Sequence, residues 1–271
     1  MIDPELLASE PIGFHDGIPL FSKPTEYTDN YERISGDHLA SLKKEGTNPF
    51  IPEDLWVEFE RSTIELVQKY ARPGDRILDA GVGLGRLLSH FPTLKRYGVD
   101  ISLGYLEIAR TKGIAVGYAL MEELPFKPAT FDLVVCTDVL EHVIDLNRCC
   151  ANILNVLRPG GVLIVRVPCR EDLSQYLAPD YPYRYVHLRA FDEFSLRLLF
   201  ERVFDCRVQE MTIAGYQLIP TKLKPHVPSP RWYQTIERNL TRLHRLHPGL
   251  YNDFVRRLYH PIVMNAVVIK P

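Results

Sequence analysis

Ten residues limit what this chain can become: Ile77-Leu78-Asp79-Ala80-Gly81-Val82-Gly83-Leu84-Gly85-Arg86. The apolar run at its start reads as a short buried strand. Three glycines at alternate positions break that run, and Leu87-Leu88-Ser89-His90-Phe91 then takes up a helical apolar pattern. Strand, glycine turn and helix in that order set a ligand site at the carboxyl end of a parallel strand. Glycine suits the turn because the backbone must bend tightly and admit a ligand where a Cβ would stand. The helix start that follows offers free N–H groups to an anionic group. A dinucleotide fingerprint reads G-x-G-x-x-G, and here Arg86 holds the place of its third glycine, which disfavours an NAD dehydrogenase.

The remaining chain alternates strands and helices around this turn. Pro52-Glu53-Asp54 opens a helix whose apolar residues Leu55, Phe59, Leu66 and Tyr70 recur at helical spacing. Strands are expected at 76–80, 96–100, 114–120, 131–137 and 162–167, with helices at 102–111 and 146–157. Another helix follows at 191–204, then strands at 206–214 and 262–270. Such alternation argues for a mostly parallel α/β sheet with helices on both faces. Residues 1–50, rich in turn formers and aromatics, read as an irregular N-terminal arm or cap with one short helix near 27–42, ahead of a main domain at 51–271. Between the last two strands, 215–260 reads as a helical insertion, with apolar faces Trp232, Ile236, Leu240 and Leu243, then Leu250, Phe254, Val255 and Leu258.

Composition narrows the setting. The chain has 271 residues, long enough for a sizeable core, and its net charge of −2 gives no global attraction for nucleic acid. Its five cysteines form no C-x-x-C pair, so reduced thiols in a cytoplasmic protein are expected, with no metal site. Neither a signal peptide nor a stretch of membrane-spanning length is visible. The sequence does not speak to oligomeric state.

Asp79 stands two residues ahead of Gly81, and this acid-x-G-x-G-x-G form resembles motif I of the class I S-adenosylmethionine (SAM)-dependent methyltransferases. Four further stretches carry the same resemblance. Tyr97-Gly98-Val99-Asp100-Ile101 ends the second strand, where an acid accepts the two ribose hydroxyls. Met121-Glu122-Glu123-Leu124-Pro125-Phe126 with Thr130-Phe131-Asp132-Leu133-Val134-Val135 resembles the family's third-strand loop and fourth strand. Thr137-Asp138-Val139-Leu140-Glu141-His142-Val143 resembles its segment facing the methionine half of SAM and the acceptor. Leu157-Arg158-Pro159-Gly160-Gly161 resembles the turn before the fifth strand. The likeness covers roughly 52–214, in the small-molecule (type 11-like) branch. It implies a Rossmann-like sheet with an antiparallel last strand, SAM as cofactor and S-adenosylhomocysteine (SAH) as product. The cofactor-binding candidates it implies are Asp79, Gly81, Gly83, Gly85, Asp100, Ile101, Met121, Glu122, Thr137 and His142. One departure stands out: Leu120 occupies the position where the family usually has an Asp for the adenine amine, leaving backbone near Met121 and Glu122 for that contact.

Beyond the fifth strand lies Asp180-Tyr181-Pro182-Tyr183-Arg184-Tyr185-Val186-His187-Leu188, in the kind of loop that lines such pockets. Its polar and aromatic content suits a small acceptor of polar, sugar-like or phosphate-bearing kind. His187 and His142 are candidate bases for an O–H acceptor, with Tyr183 and Tyr185 as candidate orienters. The insertion is basic (Lys222, Lys224, Arg231, Arg238, Arg242 and Arg245 among others), which suits an anionic acceptor or a solvated face. Transfer to O or N of a small molecule is therefore expected. An RNA methyltransferase and a SAM-binding regulatory protein without turnover are the alternatives, and the Asn-Pro-Pro-Tyr type of signature of many base-amine methyltransferases is absent.

Overall fold

The computed structural model describes residues 2–218, 239, 242, 246, 247 and 259–271. Apart from residues 239 and 242, the helix expected at 232–243 with its basic face lies outside the described residues, as does the helix expected at 250–258. In chain order the elements are β1 (Gly13–His15), β2 (Ile18–Leu20), α1 (Glu26–Glu45), α2 (Glu53–Tyr70), β3 (Arg76–Ala80) and α3 (Arg86–Ser89). There follow β4 (Lys95–Asp100), α4 (Leu103–Thr111), β5 (Ala115–Tyr118), β6 (Phe131–Thr137), α5 (Leu146–Val156) and β7 (Leu157–Pro168). The chain then forms α6 (Glu193–Arg197), which runs on as a π-helical turn over Leu198–Val203, and ends with β8 (Arg207–Leu218) and β9 (Tyr259–Ile269).

One sheet joins the described strands in the order β1-β2-β5-β4-β3-β6-β7-β9-β8. From β2 to β7 neighbours run parallel, while β9 is antiparallel to both β7 and β8. The mostly parallel sheet with an antiparallel last strand is thus present. Strand order reverses at β3, which has β4 on one side and β6 on the other. A crevice opens at the carboxyl ends of strands at such a point.

Central strands bury both faces, so their residues alternate between two cores. Leu78, Ala80, Val134, Cys136, Val165 and Val167 face a layer built from α5 and the helix at 193–203. Ile77, Leu133, Val135 and Ile164 face the opposite layer, with Leu66 and Val67 of α2 and Leu106 and Ala109 of α4. All five cysteines are buried and free.

Two readings of the sequence change. The N-terminal arm is not irregular: β1 and β2 extend the sheet edge, and α1 is a full helix with a Thr25–Thr28 capping box and Gly46 in the left-handed C-cap position. The helix after the glycine turn, in contrast, is a single turn, too short for a strong dipole. Gly83 N–H is already engaged, donating to Asp100 Oδ2 at 2.8 Å, so little anion binding is left to that helix start.

Candidate active site

Each of the three glycines answers a different constraint. Gly81 has φ +99°, and a Cβ there would lie 2.3 Å from Cγ2 of Val139. Gly83 (φ +48°) has nothing within 4 Å of the place its Cβ would take, so its backbone faces open space. Gly85 (φ +68°) packs inward, where a Cβ would meet Ile114 Cδ1 at 2.6 Å, and it does not line the cavity. Of the three, Gly83 therefore marks the closest approach for a ligand, and Gly85 is scaffold.

Around this turn opens a cavity of about 1170 Å³. That exceeds the ~300–1,000 Å³ usual for one drug-sized ligand and leaves room for two small ones. Asp79, Gly81, Gly83, Asp100, Ile101, Leu120, Met121, Glu122, Thr137 and His142 all line it. The Asp100 carboxylate is held by Gly83 N–H and by Ser102 N–H (3.0 Å). Burial pushes its pKa up to about 6, against the lowering effect of those N–H donors. Ser102, not Asp100, caps α4, accepting from Tyr105 N–H at 3.3 Å. Asp79 is 2 % exposed and its Oδ1 has no hydrogen-bond partner among the described residues. Burial, then the charge of Asp100, raises its pKa well above the usual carboxylate range.

These groups fit SAM. Each Asp100 oxygen keeps a second lone pair for a ribose hydroxyl, and the orphan oxygen of Asp79 suits the ammonium of the methionine half. Ile101, Leu120 and Met121 supply apolar walls beside the position where the adenine is expected.

The opposite end of the cavity is aromatic and titratable. Arg189 donates to the carbonyls of Leu140 (2.6 Å) and Ile144 (3.3 Å), and Leu188 N–H donates to Glu141 O (2.8 Å). These contacts pin the loop after β7 onto the turn after β6, bringing His187 against His142 with ring centroids 4.4 Å apart. Tyr31 of α1 meets His142 Nδ1 at 2.8 Å. His187 Nδ1 pairs with Glu171, whose other oxygen accepts from Tyr176 OH at 2.6 Å. Burial, then the neighbouring His187, holds the His142 pKa down to about 3, so the ring is neutral at ordinary pH. The buried network below begins at Arg166, which pairs with Asp138 (2.5 Å) and donates to Thr63 Oγ1 (3.1 Å). Thr63 in turn donates to Asn265 Oδ1 at 3.1 Å. Asp138 sits at φ +55°, a conformation this network holds in place.

Tyr183 lines the cavity and donates to Asp37 Oδ2 at 2.7 Å. Tyr185 does not line it: its ring packs on Tyr27 (5.4 Å), and Asn30 of α1 binds its carbonyl at 2.7 Å. Tyr185 thus fastens α1 to the loop rather than facing a substrate. Sequence reasoning missed Tyr31, Asp138, Glu141, Arg166, Glu171 and Tyr176. Asp138-x-x-Glu141-His142 was a readable cluster, whereas Tyr31 and Glu171 reach the site only through the fold.

The model of a methyltransferase domain matches residues 78–165. Demethylmenaquinone methyltransferase of Symbiobacterium thermophilum is 31% identical over 160 residues, 54% of this chain and 62% of the relative. The ubiquinone/menaquinone biosynthesis C-methyltransferase UbiE of Teredinibacter turnerae is 31% identical over 151 residues, 51% and 60% of the two chains. The match thus spans about three fifths of each relative's length. Among solved structures, a SAM-dependent methyltransferase from Thermotoga maritima aligns with a TM-score of 0.55 at 19% identity, over 90% of this chain and 100% of that one. The [4+2]-cyclase SpnF aligns with a TM-score of 0.53 at 17% identity, over 93% and 98%. Likenesses this distant bear on fold alone, and a cyclase among them shows that the fold does not dictate the reaction. The sequence match carries more, because it runs from β3 to β7, the strands whose carboxyl ends bear Asp79, Asp100 and Thr137. On that ground residues 78–165 are a methyltransferase domain of the class I SAM-dependent kind.

Proposed function

We propose that the protein transfers a methyl group from SAM to a hydroxyl oxygen of a small, uncharged acceptor. One observation carries the reading: a single cavity joins the Asp79–Gly83–Asp100 end to the His142–His187 end and has volume for both partners. When bound, SAM supplies a methyl already activated on sulfonium sulfur. The chain's own work is to hold, orient and dehydrate. Asp100 accepts the ribose hydroxyls, Asp79 receives the ammonium, and α1 closes the cavity through Tyr27, Tyr31, Ile34 and His38. At the far end the tyrosines orient the acceptor, and its proton leaves beside His142 and His187. Holding the acceptor oxygen in line with the methyl is the larger part of such catalysis.

The wall of the cavity supports an uncharged acceptor over an anionic one. Its acids include Asp79, Asp100, Asp138, Glu141 and Glu171, while its arginines, Arg86 and Arg166, are already paired with Glu53, Glu60 and Asp138. A phosphate-bearing acceptor is supported only by the basic stretch 221–260. Transfer to carbon is the second reading, favoured by the likeness to the C-methyltransferase UbiE. The family match ends at residue 165, ahead of the loop with Glu171, Tyr183 and His187, so acceptor choice rests on segments outside it. Five free thiols support a reducing, cytoplasmic setting.

The test is incubation with methyl-labelled SAM and fractionated metabolites, with RNA as a parallel acceptor. Label is expected in an alkali-stable methyl ether of a small molecule, and His187→Ala should cut turnover by about 10²-fold or more with SAM affinity unchanged. Label confined to RNA would contradict the proposal.

A further inference from the structure

Glu141 is the feature that methyl transfer alone leaves unexplained. It is 1 % exposed, and neither carboxylate oxygen has a hydrogen-bond partner among the described residues. A buried carboxylate with no partner is costly, and native structures keep such groups for a ligand or a proton. Its neighbours are ligand types. His142 Nε2 lies 3.9 Å from Glu141 Oε1, and donor atoms of Glu141, His142 and His187 all lie within 4.8 Å of one another.

We propose that Glu141, His142 and His187 form a binding site for one divalent transition-metal cation at the acceptor end of the cavity. Two imidazoles and one carboxylate favour first-row ions such as Mn²⁺, Co²⁺ or Zn²⁺ over Mg²⁺. The groups behind the rings match what such ligands require. His187 Nδ1 is held by Glu171, itself fixed by Tyr176, and this directs the Nε2 lone pair away from Glu171. In the tautomer whose Nδ1–H donates to the Tyr31 oxygen, Nε2 of His142 carries the lone pair that a cation needs. Ligand atoms ~2.0–2.2 Å from a shared ion stand closer than the widest separation here, so the cluster tightens by small side-chain rotations on loading. Three protein ligands leave positions open for an acceptor oxygen.

The site lies within the acceptor half of the proposed methyltransferase, and its catalytic meaning rests on that reading. On coordination the acceptor hydroxyl gives its proton to solvent, and the resulting oxyanion keeps the electron pair that forms the new bond to carbon. His142 and His187 are then ligands, not bases, and this proposal departs from the expectation of no metal site because His187, remote in sequence, is brought beside Glu141-His142 by the fold. The exposed trio His15, Asp16 and Glu107 is a weaker cluster, with no buried orphan atom among its members.

The experiment uses the full chain, stripped of metal with a chelator and titrated with Co²⁺. Visible d–d absorption should saturate at one ion per chain, with Zn²⁺ displacing Co²⁺. His187→Ala and Glu141→Gln should each weaken Co²⁺ binding by more than tenfold, and Glu171→Gln by about 10–100-fold. SAH binding, measured on the same samples, reports that each variant is folded. No Co²⁺ binding by a chain that binds SAH would overturn the cation site and leave the methyltransferase reading intact. Unchanged Co²⁺ binding in a folded His187→Ala variant would overturn it equally. Co²⁺ binding without SAH binding would keep the site and remove the methyltransferase reading.

Discussion

At the scale of single residues, Asp100 and the glycines separate cofactor binding from stability. Asp100→Ala should weaken SAM and SAH binding by about 1–3 kcal/mol, the scale of a lost charged hydrogen-bond partner, as calorimetry would read it. Its carboxyl holds a proton in the folded state up to about pH 6, whereas an unfolded carboxyl gives it up near 4. Between those values the folded state binds more protons, so this group's contribution to stability falls as pH rises through the window. SAH affinity should move the other way and rise over the same window, because the ionised carboxylate is the form proposed to accept both ribose hydroxyls; the slope should vanish in Asp100→Asn. Gly81→Ala drives a Cβ to 2.3 Å from Val139 and should cost at least about 1–3 kcal/mol of stability in denaturant unfolding. Gly83→Ala meets no protein atom and should instead lower SAM affinity more than stability. The places of Asp79 and Gly83 in the cavity wall were legible in sequence because their spacing is local to one strand–turn unit, and that of Asp100 because it ends the next strand. The inward role of Gly85 was not, since it depends on Ile114 and Ala109 of other segments.

At the scale of elements, α1 is the part that spacing alone could not place. Apolar periodicity gave β3, β6 and α5 nearly residue for residue, because a strand buried on both faces has little freedom. α1 carries few apolar residues and is held by polar contacts across the fold. Glu32 accepts from Leu103 N–H (2.9 Å) and Gly104 N–H (3.3 Å), Ser35 meets Ser102 (2.7 Å), and His38 meets Tyr105 (2.7 Å). The helix thereby straps the start of α4 to the loop at 182–187. Glu32→Ala should raise amide hydrogen exchange across 26–45 and raise KM for the acceptor, while exchange in β3 and β6 stays as it was. Protection of α1 equal to that of the parent would show that the strap does not depend on this anchor.

At the scale of the whole molecule, one sheet presents two half-sites at the carboxyl ends of its strands. The half built by β3, β4 and the turn between them lies within the residues matched to the methyltransferase domain; α1 and the loop after β7, which build the other half, lie outside them. The first was readable from a strand–glycine–acid pattern. The second was readable only as residue types, because its geometry comes from contacts between segments far apart in sequence, Tyr31 to His142 and Glu171 to His187. Calorimetric titration of the full chain with SAH, with NADH as the parallel ligand, tests the shared half most directly. One SAH per chain is expected, with binding weakened in Asp100→Ala and no heat from NADH. Binding of NADH with no binding of SAH would contradict the assignment of the Gly81–Gly83 turn and Asp100 to SAM.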